Sequence, residues 1–252
     1  MTRARQGAAA CMLVVCAAAL GGCATSGDGV DTRQAAEANA SLGADYLRRN
    51  ENDQAVARFR RALDYDSDNA SAVWGMAIVK DRLDEPEAAR SYYERAVDLR
   101  PNAPVYNSYA AFLCRQGDVE RALEYFDRAA DDPRYAGAPD ARANAGLCLE
   151  RAGRGEAAER YYRDALEGDA EQVTALVHMA RLMYDRGEYL SARGFIERAD
   201  AAADLEAEQL RLAARIELAL GDRGAAADYV GRYNASRPAA NLSLRQLEQS
   251  RR

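Results

Sequence analysis

The stretch Tyr106–Ala129, YNSYAAFLCRQGDVERALEYFDRA, decides the fold. A small residue, Ala110, sits inside an apolar run. Gly117 interrupts that run, and Ala122, Phe126 and Ala129 follow at helical spacing. The pattern reads as two short helices joined at a glycine that takes the left-handed helix-ending conformation. The same frame recurs along the chain. Gly43, Ala77, Ala110, Gly146, Ala180 and Ala214 are spaced by 34, 33, 36, 34 and 34 residues. Twelve residues after each stands Ala55, Ala89, Ala122, Ala158, Ala192 or Ala226. Then come the larger Phe59, Tyr93, Phe126, Tyr162, Ile196 and Val230, and after these Ala62, Ala96, Ala129, Ala165, Ala199 and, in the last unit, Tyr233. The turn between the helices carries Asn50, Asp84, Gly117, Gly153, Gly187 or Gly221, residues that tolerate a positive φ.

A small–small–aromatic–small frame at this period resembles the tetratricopeptide repeat (TPR). The expected fold class is all-α: a TPR superhelix, or α-solenoid, of six helix-turn-helix repeats. Small residues let the paired helices approach, the aromatic fills the gap toward the next repeat, and no hairpin buries its apolar face without a neighbour. The repeats are placed at 36–69, 70–102, 103–136, 139–172, 173–206 and 207–240, about four-fifths of the chain. Pro101 ends a second helix, while Pro104 and Pro139 open or precede first helices, where a missing N–H costs nothing. Two extra residues near 133–139 lengthen one turn. In residues 241–252, Leu242, Leu244 and Leu247 predict a short capping helix.

The N-terminus reads as an address. Arg3 and Arg5 precede an apolar run, Ala8–Leu20, of 13 residues. That is short of the roughly 20 a membrane span needs. Leu20-Gly21-Gly22-Cys23 resembles a lipobox, which makes 1–22 a lipoprotein signal peptide and Cys23 the lipidated residue. The alternative is an ordinary secretion signal with an incidental cysteine. Ala24 in place of an aspartate favours the outer membrane under the sorting rule of that lipoprotein family. Residues 23–35 then form a lipidated, flexible tether, spanning roughly 20 Å as a random coil. The covalent lipid on Cys23 is the only cofactor expected, and contact with the membrane is through that anchor alone.

The formal charge is −6, and removal of Arg3 and Arg5 takes it to −8, which argues against nucleic acid as a partner. His178 is the only histidine, so a histidine-based acid–base or metal site lacks partners of its own type. It reads as groove-lining or solvated. Gly153-Arg154-Gly155 is an inter-helix turn, not a phosphate loop, and no G-x-S-x-G motif is present. No catalytic residues, metal site or small-molecule substrate are expected, and the chain reads as a non-enzyme.

First helices of such stacks line the concave face. Leu47, Trp74, Ile78, Asn107 and Asn144 fall there and form the candidate partner-binding groove, together with Gly75, Ala111, Arg115, Ala143, Leu147 and Arg151. Trp74 admits two readings, an apolar wall of the groove or a packing residue between repeats. Asn107 and Asn144 could bond a bound backbone or neighbouring helix ends. Cys114 and Cys148 lie near the ends of adjacent first helices, close enough to be bridged, or else to be two buried small side chains.

One stretch is more specific than the repeat. Tyr106-Asn107-Ser108-Tyr109-Ala110-Ala111-Phe112-Leu113-Cys114-Arg115-Gln116-Gly117 resembles the Y-N-N-Y-G-x-F-L-C-x-Q-G signature of the type IV pilus biogenesis/stability proteins PilW/PilF. Asp132-Pro133-Arg134-Tyr135 is similar to that family's P-x-Y turn, and Asn144-Ala145-Gly146-Leu147-Cys148 to its N-A-G-L-C element. Ser108 and Ala110 depart from the signature but remain small. The resemblance implies an outer-membrane pilotin that binds the type IV pilus secretin subunit, brings it to the outer membrane and promotes its multimerisation. Alternatives are a periplasmic scaffold docking peptidoglycan hydrolases and a subunit of an outer-membrane assembly complex.

Overall fold

The computed structural model describes residues 31–237, 239 and 242–249. The signal peptide, Cys23 and most of the expected tether lie outside them. Thirteen helices and no strand are present among the described residues. They form six antiparallel pairs: α1 (Thr32–Arg48) with α2 (Asn52–Tyr65), α3 (Ala70–Arg82) with α4 (Pro86–Leu99), α5 (Ala103–Arg115) with α6 (Val119–Ala130), α7 (Ala138–Arg151) with α8 (Gly155–Gly168), α9 (Val173–Asp185) with α10 (Tyr189–Ala202), and α11 (Ala207–Leu220) with α12 (Arg223–Ser236). The stack is a TPR solenoid.

Every pair turns in the same way. Asn50 (φ 59°), Asp84 (φ 57°), Gly117, Gly153, Gly187 and Gly221 take the left-handed conformation. The next residue's N–H then bonds back across the turn: Glu51 to the Tyr46 carbonyl at 3.0 Å, Glu85 to Lys80 at 3.0 Å, Arg154 to Leu149 at 2.8 Å. This is the Schellman closure, which satisfies carbonyls the helix end leaves free. The four glycines here serve φ alone, since an added Cβ would meet nothing within 4 Å. Between repeats, side chains cap the following helix: Asn69 accepts from the Ala72 N–H, Asn102 from Val105 and Gln172 from Ala175.

The repeated small and aromatic positions form the core. All six alanines from Ala55 to Ala226 are fully buried, as are Phe59, Tyr93, Phe126, Tyr162 and Ile196 to within 2% exposure. Equivalent positions of neighbouring repeats are also bridged at the surface. Arg154 reaches Glu120 at 2.6 Å, and the Tyr161 hydroxyl donates to Asp127 at 3.0 Å, each 34 residues apart. Cys114 and Cys148 form a disulfide between α5 and α7, Cα atoms 5.7 Å apart. Closing a loop of 34 residues corresponds to roughly 3–4 kcal/mol in the chain-entropy model. At the C-terminus α13 (Leu244–Gln249) folds back, with Leu247 buried among Leu218, Val230 and Ala226.

The N-terminal boundary differs from the sequence expectation. Helix α1 starts at Thr32, so Thr32–Ala35, assigned to the tether, are helical. The cause is Asp31, whose carboxylate accepts from the N–H groups of Arg33 (3.1 Å) and Gln34 (3.3 Å). The helix is then anchored by Ala36, which is fully buried.

Candidate functional site: a trough along the first helices

Helices α1, α3, α5 and α7 lie side by side. A cleft of about 420 Å³ opens between α1 and α3. Leu47, Trp74 and Ile78 line it together with Ala40 and Ala44, and Phe59 closes its floor. Glu37 and Arg48 mark its two ends. Three of the five expected groove residues therefore meet in one apolar cleft. The floor is possible because the facing helices carry no side chain there. Gly43 and Gly75 both abut the Phe59 ring, where an added Cβ would stand 2.6 Å and 2.2 Å from its carbons.

Trp74 sits at both places. One part of the indole lines the cleft, and another packs against Val73, Ala96 and Val105 between repeats two and three. Its Nε1–H is buried and has no hydrogen-bond acceptor among the described residues.

Asn107 and Asn144 behave otherwise than as free peptide ligands. The Asn144 amide donates to Asn107 Oδ1 at 3.3 Å, and the Asn107 amide donates to the Tyr135 hydroxyl at 3.3 Å. The pair ties α7 to α5 and to the long turn before α7. Asn144 still borders a hollow between α5 and α7; Asn107 does not border this hollow or the α1–α3 cleft. Ala143, placed on the groove face by spacing, is fully buried in the core.

Beyond the first cleft the trough continues. A second hollow lies over Ile78, Ser108 and Ala111, edged by Arg82, Arg115 and Asp81. A third lies over Ala111 and Leu147, edged by Arg115 and Arg151, with the disulfide in its wall. Arg48 and Arg82 escaped the sequence reading as site residues. Their signal was available in the repeat frame, since Arg48, Arg82, Arg115 and Arg151 hold the same position in four successive repeats.

His178 belongs to a structural cluster. Its Nδ1 lies 2.8 Å from Glu150 Oε2, its ring stacks on Tyr162 at 5.4 Å, and the Tyr162 hydroxyl donates to the same Glu150 oxygen at 2.8 Å. Burial pushes the Glu150 pKa up. Hydrogen bonds and charge from His178, with the Tyr162 hydroxyl and Arg181, more than reverse this, and the net shift is downward. The cluster joins repeats four and five. Among the described residues no group of three or more His, Cys, Asp or Glu side chains could hold a metal, and no helix is long and apolar enough to cross a membrane.

Comparison with known proteins agrees with this architecture. The tetratricopeptide-repeat family model matches residues 41–104 and 113–173. The type IV pilus assembly protein PilF of Pseudomonas aeruginosa is 31% identical over 228 residues, spanning 87% of this chain and 90% of that one. The solved structure of Pseudomonas aeruginosa PilF superposes with a TM-score of 0.75 at 29% identity, covering 88% of this chain and 99% of that one. The crystal structure of PilW, a widely conserved type IV pilus biogenesis factor, superposes at 0.73 with 26% identity, covering 87% and 99%. The shared repeat frame, the likeness over nearly the whole folded part and the coverage of the relatives' full length place the chain in the PilF/PilW family of TPR proteins of type IV pilus biogenesis.

Proposed function

We propose that this protein is a non-catalytic, lipid-anchored pilotin at the periplasmic face of the outer membrane, which binds the type IV pilus secretin subunit and promotes its localisation and multimerisation there. The observation that carries the reading is the apolar cleft between α1 and α3, in a chain of the PilF/PilW family. Filling such a cleft with one leucine-sized side chain contributes about 1.5–3 kcal/mol. Cys23, the proposed lipid site, lies eight positions before Asp31, so cargo in the first cleft is held near the anchor. Trafficking of the lipoprotein supplies transport, and the cleft supplies the grip.

The test is to delete the gene and measure SDS-resistant secretin multimers in separated inner- and outer-membrane fractions. Multimers should disappear from the outer membrane and return with the wild-type gene. A Cys23→Ser form or an Ile78→Asp form should fail to restore them. Normal outer-membrane multimers in the deletion strain would reject the pilotin mechanism.

A further inference from the structure

The three hollows share walls. Ile78 borders the first and second, and Ala111 and Arg115 border the second and third, so one trough crosses four first helices. Its floor runs through one repeat position: Ala44, Ile78, Ala111, Leu147. Four residues further along each helix stand Arg48, Arg82, Arg115 and Arg151, all exposed, forming one edge.

Helix C-termini attract cations through the backbone dipole, which by itself would explain arginines there. The last two repeats speak against that as the whole reason. Their equivalent edge positions are Asp185 and Ala219, while their floor positions become Arg181 and Arg215. The apolar floor and the arginine edge therefore end together, after repeat four. The edge is neutralised only in part, with Asp81 also lining the second hollow. Arg48 pairs with Asp45 and Arg115 with Asp81, but Arg82 is held by neutral acceptors, the Leu47 carbonyl at 2.6 Å and Asn50 Oδ1 at 3.1 Å. Arg151 forms no ion pair among the described residues. This positive edge belongs to a chain of formal charge −6.

From this joint pattern we infer that the trough receives a partner-protein segment with apolar side chains on one face and acidic residues along one side, seated across repeats one to four. Neighbouring helices 8–10 Å apart give a span of roughly 25–30 Å. About eight extended residues cover that distance. The inference rests on the reading of the cleft as the partner site and gives the chemistry of what occupies it.

Two labelled ten-residue synthetic peptides would test it, alike in their leucines and isoleucines but with glutamates in one and lysines in the other. Fluorescence anisotropy with the full lipidated chain in detergent should show the acidic probe binding at least tenfold tighter at low salt. That preference should shrink in 0.5 M NaCl, because exposed charges are screened. Arg82→Glu with Arg151→Glu should abolish or invert the preference, and Arg151→Gln alone should weaken it. Equal binding of both probes, or indifference to the arginine changes, overturns the inference. So does arginine-dependent flotation with phosphatidylglycerol vesicles without any peptide preference, which would make the edge a lipid-facing surface. Secretin multimers separate the two levels. If the arginine variants keep them while Ile78→Asp loses them, the charge inference fails and the pilotin reading stands. If neither variant affects them, both fail.

Discussion

The ring of Phe59 occupies the space a side chain on Gly75 would need: a Cβ added there would stand 2.2 Å from Phe59 Cζ. Gly75→Ala gains about 1 kcal/mol of helix propensity and loses about 1–3 kcal/mol to overpacking. The expected outcome is a net loss in urea denaturation. Phe59→Leu in the same chain should recover part of it, because two residues in contact do not act additively. A Gly75→Ala protein as stable as wild type would mean that the ring can turn aside.

Trp74 separates stability from shape. Its Nε1–H is buried without an acceptor among the described residues, a state that costs about 1–3 kcal/mol. Trp74→Phe deletes that donor along with some contact area, and stability should stay within about 1 kcal/mol of wild type. Trp74→Ala empties a wall shared by the cleft and the repeat interface, and should lose about 3 kcal/mol, the low end for a tryptophan because the side chain is only half-buried. Equal losses for both changes would show that the indole nitrogen has found an acceptor.

Glu217 is buried at 2% exposure on α11, and its carboxylate accepts from Arg193 of α10, the Nε bond measuring 3.0 Å. Arg193 itself is about a third exposed, with a side-chain exposure of 30%. Glu217→Ala removes both charge-assisted hydrogen bonds and leaves the part-exposed guanidinium only Asp222, at 3.9 Å, so a loss of about 1.5–3 kcal/mol is expected. Replacing both residues with leucine should cost less than Glu217→Ala alone. The pair of melting curves decides the matter.

Acid should loosen the stack. Hydrogen bonds from Arg232 at 2.7 and 2.6 Å hold Asp200 below the usual carboxylate range, and those from Arg163 and Arg186 do the same for Glu159. A carboxyl group whose folded pKa is depressed stabilises the fold above its unfolded pKa, and this is lost as pH falls through the folded value. The melting temperature should therefore drop on acidification below the ordinary carboxylate range. Asp200→Asn should flatten that drop. Asp127 works in the opposite sense, since burial raises its pKa despite the Tyr161 hydrogen bond, and Asp127→Asn should steepen it.

The repeat register and the six turns were legible because each physical requirement recurs about every 34 residues. Asn50 and Asp84 could be read as left-handed because four glycines mark the same place. The start of α1 was not legible, because a single capping carboxylate, Asp31, draws four unpatterned residues into helix. Of Asn107 and Asn144, only Asn144 borders the trough. Their mutual hydrogen bond depends on the turn of two amides 37 residues apart, which spacing does not specify. Arg193 with Glu217 is invisible for the same reason. The arginine edge was present in the sequence but appears only when four repeats are compared at one position.

The Cys114–Cys148 disulfide also sets how far the chain can be drawn out. A pull on its two ends loads the hairpins in series, and each can peel from its neighbour. The 34-residue loop closed by the disulfide is shielded from that load. At about 3.3–3.6 Å per extended residue, roughly 110–120 Å of contour is withheld. Under tension the protein would lengthen from the helices outside that loop, α8 and most of α5 included, while the bridged crossing from α5 to α7 sets a fixed limit to its reach.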